Sequence, residues 1–259
     1  MKDRSKYWNK NYYEYWSKRV LEANNQIKNV SSIVKNDFVT IKDDIYHELL
    51  NRNINKKGQI LDVGCGWGRF FNFFEKLGLT IYGIDISINM IEKAKQFKSK
   101  NEIQIYQGEA ENLQFKTNYF DYLTCFGVFE ATFQDKALSE FLRVLKTDGL
   151  LFLTGRNIFY HDDDHEARLA EIGAREKGEP NYFTDVKSML EQLKLNNHQI
   201  IESYFFKRRG DFPIWNYVKE FQPLFYEYLF VIRKGSEKNI FSPFSRDHSK
   251  NSLRFKHEK

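Results

Sequence analysis

The stretch Ile60-Leu61-Asp62-Val63-Gly64-Cys65-Gly66-Trp67-Gly68-Arg69 ends a short apolar run in three alternating glycines. Glycines let a backbone approach a ligand closely, and the helix expected over 69–76 offers unpaired N–H donors at its start. The spacing is Gly-x-Gly-x-Gly, not the Gly-x-Gly-x-x-Gly of dinucleotide binders. Asp85 closes the next apolar run, 21 residues after Gly64. A carboxylate there can accept hydrogen bonds from the ribose hydroxyls of an adenosine-type ligand. The run Gln107-Gly108-Glu109-Ala110-Glu111-Asn112-Leu113 sets a further polar turn at the same sheet edge. A ligand-free strand–helix turn would account for the glycines but not for Asp85 and 107–113.

A second group could move protons. Residues 156–166 hold Arg156, Asn157, Tyr160, His161, Asp162, Asp163, Asp164, His165 and Glu166. Histidine suits a general base near neutral pH, and a neighbouring aspartate can orient it. His161 and His165 are four apart and would share a helix face. The competing reading makes Asp162–Asp164 the cap and first-turn acids of a helix. Glu130 is a rival base, and turn or capping duty is its alternative. Lys207-Arg208-Arg209 could meet an anionic group on a substrate or form a solvated turn. No metal site is expected: the two cysteines, Cys65 and Cys125, have no ligand spacing. They read as small apolar fillers.

Elements of alternating type must position these groups. Trp8, Tyr12, Tyr15 and Trp16 fall on one helix face within 5–23, read as core packing or as a lid over the ligand. Ile41, Ile45 and Leu49 mark a second helix. From residue 58 the pattern alternates: strands at 60–63, 79–86, 103–107, 119–126 and 150–154, with helices at 69–76, 89–100 and 136–145 between them. Strands alternating with helices imply a mostly parallel sheet. Residues 156–182 read as an excursion over the sheet edge, 185–195 as helix, and 199–206 and 228–233 as the last strands. This divides the chain into a helical cap (1–57), a main domain (58–235) and a basic solvated tail (236–259).

Composition sets outer bounds. Of 259 residues, 41% are hydrophobic, enough for a packed core. The net charge of +5 sits at the ends: residues 1–20 carry six basic residues against two acids, and 236–259 six against three. The body between is slightly acidic, which argues against a nucleic-acid working face. No run of 18 apolar residues and no signal-type hydrophobic region exists, so a cytoplasmic chain without a membrane span is expected.

Taken in order, the motifs resemble those of the class I, Rossmann-like S-adenosylmethionine-dependent methyltransferases, bacterial small-molecule type. They are the glycine loop at 60–68, Gly83-Ile84-Asp85-Ile86-Ser87, the 107–113 turn, Phe120-Asp121-Tyr122-Leu123-Thr124-Cys125-Phe126-Gly127-Val128-Phe129-Glu130 and Leu142–Leu150. The likeness spans about residues 58–155, and more loosely to 234. It implies an α/β fold with a seven-stranded, mostly parallel sheet, helices on both faces, and an antiparallel strand near 228–233.

The resemblance also implies S-adenosylmethionine as cofactor. Asp62 and the backbone of Gly64, Cys65 and Gly66 would hold its methionine part. Asp85 would hold the ribose, with Ile86 against the adenine. Glu109 and Ala110 would read the adenine edge, and Phe126 would lie beside the sulfonium. Ala131 stands where many relatives have histidine. The expected reaction is O-methylation of a small molecule, a sugar or sugar nucleotide of surface-polysaccharide synthesis, with His161, Glu130 or His165 as the base. An RNA methyltransferase and a non-catalytic S-adenosylmethionine-binding protein are the alternatives.

Overall fold

A computed structural model describes residues 4–10, 41–100, 102–235 and 238–250, with main chain only at 41–44. Tyr12, Tyr15 and Trp16 lie outside the described residues, as do 11–40 and 251–259. Residues 4–10 are helical. The other elements, in order, are α1 (Ile41–Asn53), β1 (Gln59–Val63), α2 (Phe71–Lys76), β2 (Thr80–Asp85), α3 (Ile88–Ala94), β3 (Gln104–Gln107) and β4 (Phe120–Cys125). Then come α4 (Gln134–Val144), β5 (Leu145–Arg156), α5 (His165–Glu176), β6 (Phe183–Thr184), α6 (Val186–Leu195), β7 (Gln199–Phe206), β8 (Glu227–Arg233) and β9 (Ser245–Arg246).

Seven strands form one sheet in the order β3-β2-β1-β4-β5-β8-β7. Pairings from β3 through β5 are parallel, and β8 runs antiparallel to both neighbours. The sequence reading of a seven-stranded sheet with a reversed strand near 228–233 therefore holds. Strands β1 and β2 are buried almost throughout because helices cover both faces. One apolar cluster, with Leu61, Leu123, Phe141 and Phe230, fills one face; a second, with Ile60, Phe71, Phe74 and Phe152, fills the other. Helix α4 shows how the pattern works: Ala137, Leu138, Phe141 and Leu142 form the stripe it buries.

Three expectations need adjusting. The fifth strand begins at Leu145, not Leu150, because α4 ends at Val144 and Leu145 already pairs with Phe120. The 156–182 excursion is built around α5. The solvated tail is corrected over 238–250: Phe244 and Ser249 are buried and β9 pairs with β6. The Glu171 carboxylate explains the return. It accepts from the Tyr160 hydroxyl at 2.7 Å, from Arg175 at 2.5 Å, and from the amide and hydroxyl of Ser249 at 3.0 and 2.6 Å. Basic composition alone could not reveal that one serine satisfies a buried acid 78 residues earlier.

Candidate active site

The sheet order reverses between β1 and β4, and in such sheets ligands bind beyond the carboxyl ends of the strands at that point. A cavity lies there. Its middle is walled by Asp62, Gly64 and Cys65 after β1; one end by Asp85, Ile86 and Glu109–Glu111 after β2 and β3. Glu130, Arg156, Glu179, Arg209, Tyr226 and Glu227 also line it.

The loop after β1 depends on Gly64. Its φ is +72°, and a Cβ there would stand 2.3 Å from the Val128 side chain. Gly64 and Cys65 both donate their N–H to the Ile84 carbonyl, at 2.8 and 3.1 Å. The Gly66 N–H donates to Asp85 Oδ2 at 2.9 Å. These three donors are used inside the protein. The loop thus offers close backbone approach rather than a cradle of free N–H groups for a pyrophosphate, against a dinucleotide.

Asp85 accepts a second bond, from the Ser87 N–H to Oδ1 at 2.8 Å, and burial raises its pKa against these bonds. Asp62 is 3% exposed. Its Oδ1 accepts from the Thr124 hydroxyl at 2.7 Å, while Oδ2 is buried without a partner. Burial, offset in part by Thr124, pushes the Asp62 carboxyl up to about 7. A buried carboxylate oxygen lacking a donor, on a cavity wall, fits the ammonium of an amino-acid ligand. Phe126 stacks on Tyr46 with centroids 4.0 Å apart, and Phe70 meets Phe126 edge-on. Together they make an aromatic wall.

Eight of the nine residues expected to hold the cofactor line this cavity: Asp62, Gly64, Cys65, Asp85, Ile86, Glu109, Ala110 and Phe126. The ninth, Gly66, sits behind them on Asp85. The proton-moving group fares differently. Glu130 lines the cavity; His161 and His165 do not. The histidines are corrected as base candidates for a local reason. Helix α5 starts only at His165, which is exposed, with Asp164 as its cap accepting from the Ala167 N–H at 3.1 Å. His161 precedes that cap in a turn, so the pair shares no helix face. Asp163 holds Arg208 through two contacts of 2.8 and 2.9 Å.

Glu130 is held by Arg156 at 3.2 Å, and its Oε2 is buried without a partner. Arg156 also donates to Asn181 at 2.7 Å. Burial opposes its charge, but Tyr226, Glu130, Glu179 and Glu227 outweigh that and raise its pKa. The 4–10 helix also lies against the cavity, through Arg4 and Trp8. Arg4 donates to both oxygens of Glu111, at 2.5 and 3.1 Å, and to the Ala131 carbonyl at 3.1 Å. Asn9 accepts from the Ser87 hydroxyl at 2.8 Å. Arg4, Glu179 and Tyr226 belong to segments without a motif, which leaves them unmarked in the sequence; Glu111 stands in the 107–113 turn, where the sequence gives it no role of its own. Among the described residues no group of three acids, histidines or cysteines could hold a metal ion, and no helix is long and apolar enough to cross a membrane.

The fold is the Rossmann-like fold of class I methyltransferases, with the cavity at its switch point. Residues 61–153 match the family described as "Methyltransferase domain". Demethylmenaquinone methyltransferase of Staphylococcus epidermidis is 37% identical over 110 residues, 40% of this chain and 46% of that protein. A ubiquinone/menaquinone biosynthesis C-methyltransferase of Campylobacter jejuni is 35% identical over 106 residues, 38% of this chain and 44% of that one. The chain thus spans less than half the length of these relatives. Among solved structures, an S-adenosylmethionine-dependent methyltransferase of Mesorhizobium loti shares the fold at a TM-score of 0.56 and 16% identity, covering 74% of this chain and 99% of its own.

Proposed function

We propose that this chain transfers the methyl group of S-adenosylmethionine to a small polar acceptor, with Glu130 as general base. When bound, the cofactor supplies a methyl carbon activated by a positive sulfonium. The protein's part is to orient the partners and exclude water. Asp62 would take the ammonium of the methionine part, Asp85 the ribose hydroxyls, and the Tyr46–Phe126 wall would shield the reacting centre. The observation that carries this reading is that Asp62 and Glu130, each with one buried carboxylate oxygen lacking a donor, line the same cavity. One suits the cofactor's cation, the other the acceptor's proton.

O-methylation of a sugar is the finer form of this proposal, since a sugar hydroxyl can donate to Glu130. A sugar nucleotide suits the cavity less well, because its phosphates would face Glu130, Glu179 and Glu227. A second reading, C-methylation of a quinone-type ring, draws on the names of the two relatives and on the aromatic wall, on which a ring could stack. The test of Glu130 is conservative. Glu130→Gln keeps the shape and the contact to Arg156, so cofactor affinity should hold within about twofold. The rate of S-adenosylhomocysteine formation from a metabolite extract should fall by about 10²–10⁴. An undiminished rate contradicts the assignment.

A further inference from the structure

Thr124 on β4 stands directly beside Asp62 on β1, for the two are register partners in the parallel pairing of these strands. The Thr124 hydroxyl belongs to a wholly buried residue and donates its single proton to Asp62 Oδ1 at 2.7 Å. Asp62 Oδ2 is left as a buried oxygen without a donor, on a residue that lines the cavity. Packing alone does not ask for a hydroxyl here. Valine has nearly the same shape as threonine and suits a buried strand at least as well. The other groups around Asp62 do little for its charge. Arg69, beyond the glycine loop, favours it, and Asp85, from the end of β2, opposes it. The Cys65 and Cys125 thiols nearby are pushed up by burial and stay neutral. Burial outweighs the rest and lifts the Asp62 carboxyl to about 7, with the Thr124 bond working against it.

We propose that Thr124 is a positioning residue for the cofactor: its hydroxyl holds the Asp62 carboxylate ionised and in one orientation, so that Oδ2 meets the ammonium of the methionine part. This rests on the methyltransferase reading above and adds a residue to it. The last torsion of an aspartate side chain is soft, and one hydrogen bond to Oδ1 fixes where Oδ2 points. A hydroxyl bonded to a carboxylate also favours its charged form, and does so more strongly than a bond between neutral groups. Without that donor the buried carboxyl keeps its proton at neutral pH, and a protonated acid offers an ammonium no charge. Thr124 thereby selects adenosyl ligands that carry the amino acid over those that lack it, although it sits behind Asp62 in the sheet.

The test compares two ligands by calorimetric titration of the full chain and its variants. S-adenosylhomocysteine carries the ammonium; methylthioadenosine keeps the adenosine and the thioether but has no amino acid. In Thr124→Val, S-adenosylhomocysteine should bind about tenfold more weakly near neutral pH, while methylthioadenosine affinity stays within about twofold. The second result also reports that the variant is folded. The rise of S-adenosylhomocysteine affinity with pH should move upward by about one pH unit in the same variant. Thr124→Ser restores a hydroxyl and should return both the affinity and the pH profile. Unchanged S-adenosylhomocysteine affinity in Thr124→Val would overturn the role. So would an equal loss for both ligands, or a serine variant that behaves like the valine one. The reading beneath fails separately: native S-adenosylhomocysteine affinity in Asp62→Asn, or binding of neither ligand to the unaltered chain, would remove the ammonium site itself.

Discussion

The Gly66 N–H donates to Asp85 Oδ2 at 2.9 Å, so the carboxylate proposed for a ribose is also the brace of the glycine loop. Asp85 stands at the end of β2 and Gly66 just beyond the end of β1, and Ser87 fixes the other carboxylate oxygen at 2.8 Å. From sequence alone, Asp85 reads as a ligand whose loss would spare the fold. The structure adds the bracing of the loop to the ribose contact proposed for it.

Asp85→Ala should therefore fail on both counts. Two buried backbone donors lose their acceptor, a loss of about 1–3 kcal/mol each at most. Chemical denaturation should show that loss of stability. S-adenosylmethionine affinity should fall at least about tenfold in the folded fraction. A variant with native affinity would remove Asp85 from the ribose site.

Asp62 makes the apo protein sensitive to pH. Burial holds its carboxyl near 7, above the ordinary aspartate value. A group raised in this way contributes stability that is present in acid and is lost as pH rises through about 7. Asp62→Asn should flatten the stability profile of the unliganded chain between about pH 4 and 7. S-adenosylhomocysteine should bind more tightly as pH rises from about 6 to 8, because the ionised carboxylate meets the ligand's ammonium. Affinity independent of pH across that window would contradict the role given to Asp62.

Gly64→Ala should be costly. The position needs φ +72°, and the new methyl would meet Val128 at 2.3 Å. A loss of about 2 kcal/mol or more is expected, with cofactor affinity falling in parallel. Val128→Ala in the same chain should recover part of the stability by making room. No recovery would assign the loss to the backbone angle alone.

The 4–10 helix should retard cofactor exchange. Arg4 joins the Glu111 side chain to the Ala131 carbonyl across the cavity edge. Arg4→Ala should raise the dissociation rate of S-adenosylhomocysteine several-fold while leaving the fold intact, as stopped-flow displacement would record. An unchanged off-rate would make residues 4–10 packing only.

Much of this is legible in the sequence. The period change near residue 58, the three glycines and Asp85 placed β1, the loop and β2 because buried parallel strands and tight turns leave strong local signatures. The residues expected to hold the cofactor share those motifs, and eight of the nine line one cavity. The base did not. His161 and His165 looked apt by residue type, yet the Asp164 cap sets where α5 begins and keeps both off the cavity wall. Glu130 earns its position through Arg156 and the turn after β4, contacts 26 residues or less apart that no short spacing encodes. Arg4 reaches Glu111 across 107 residues, and Ser249 reaches Glu171 across 78. Long-range partners of this kind follow from the fold, not from periodicity.

The central claim is the identity of the cofactor, and titration calorimetry of the purified chain tests it most directly. S-adenosylmethionine and S-adenosylhomocysteine should both bind at one site per chain, with NAD giving no heat of binding at the same concentrations. Binding of NAD, or of neither sulfur compound, would contradict the account and return the Gly64–Gly68 loop to a structural turn.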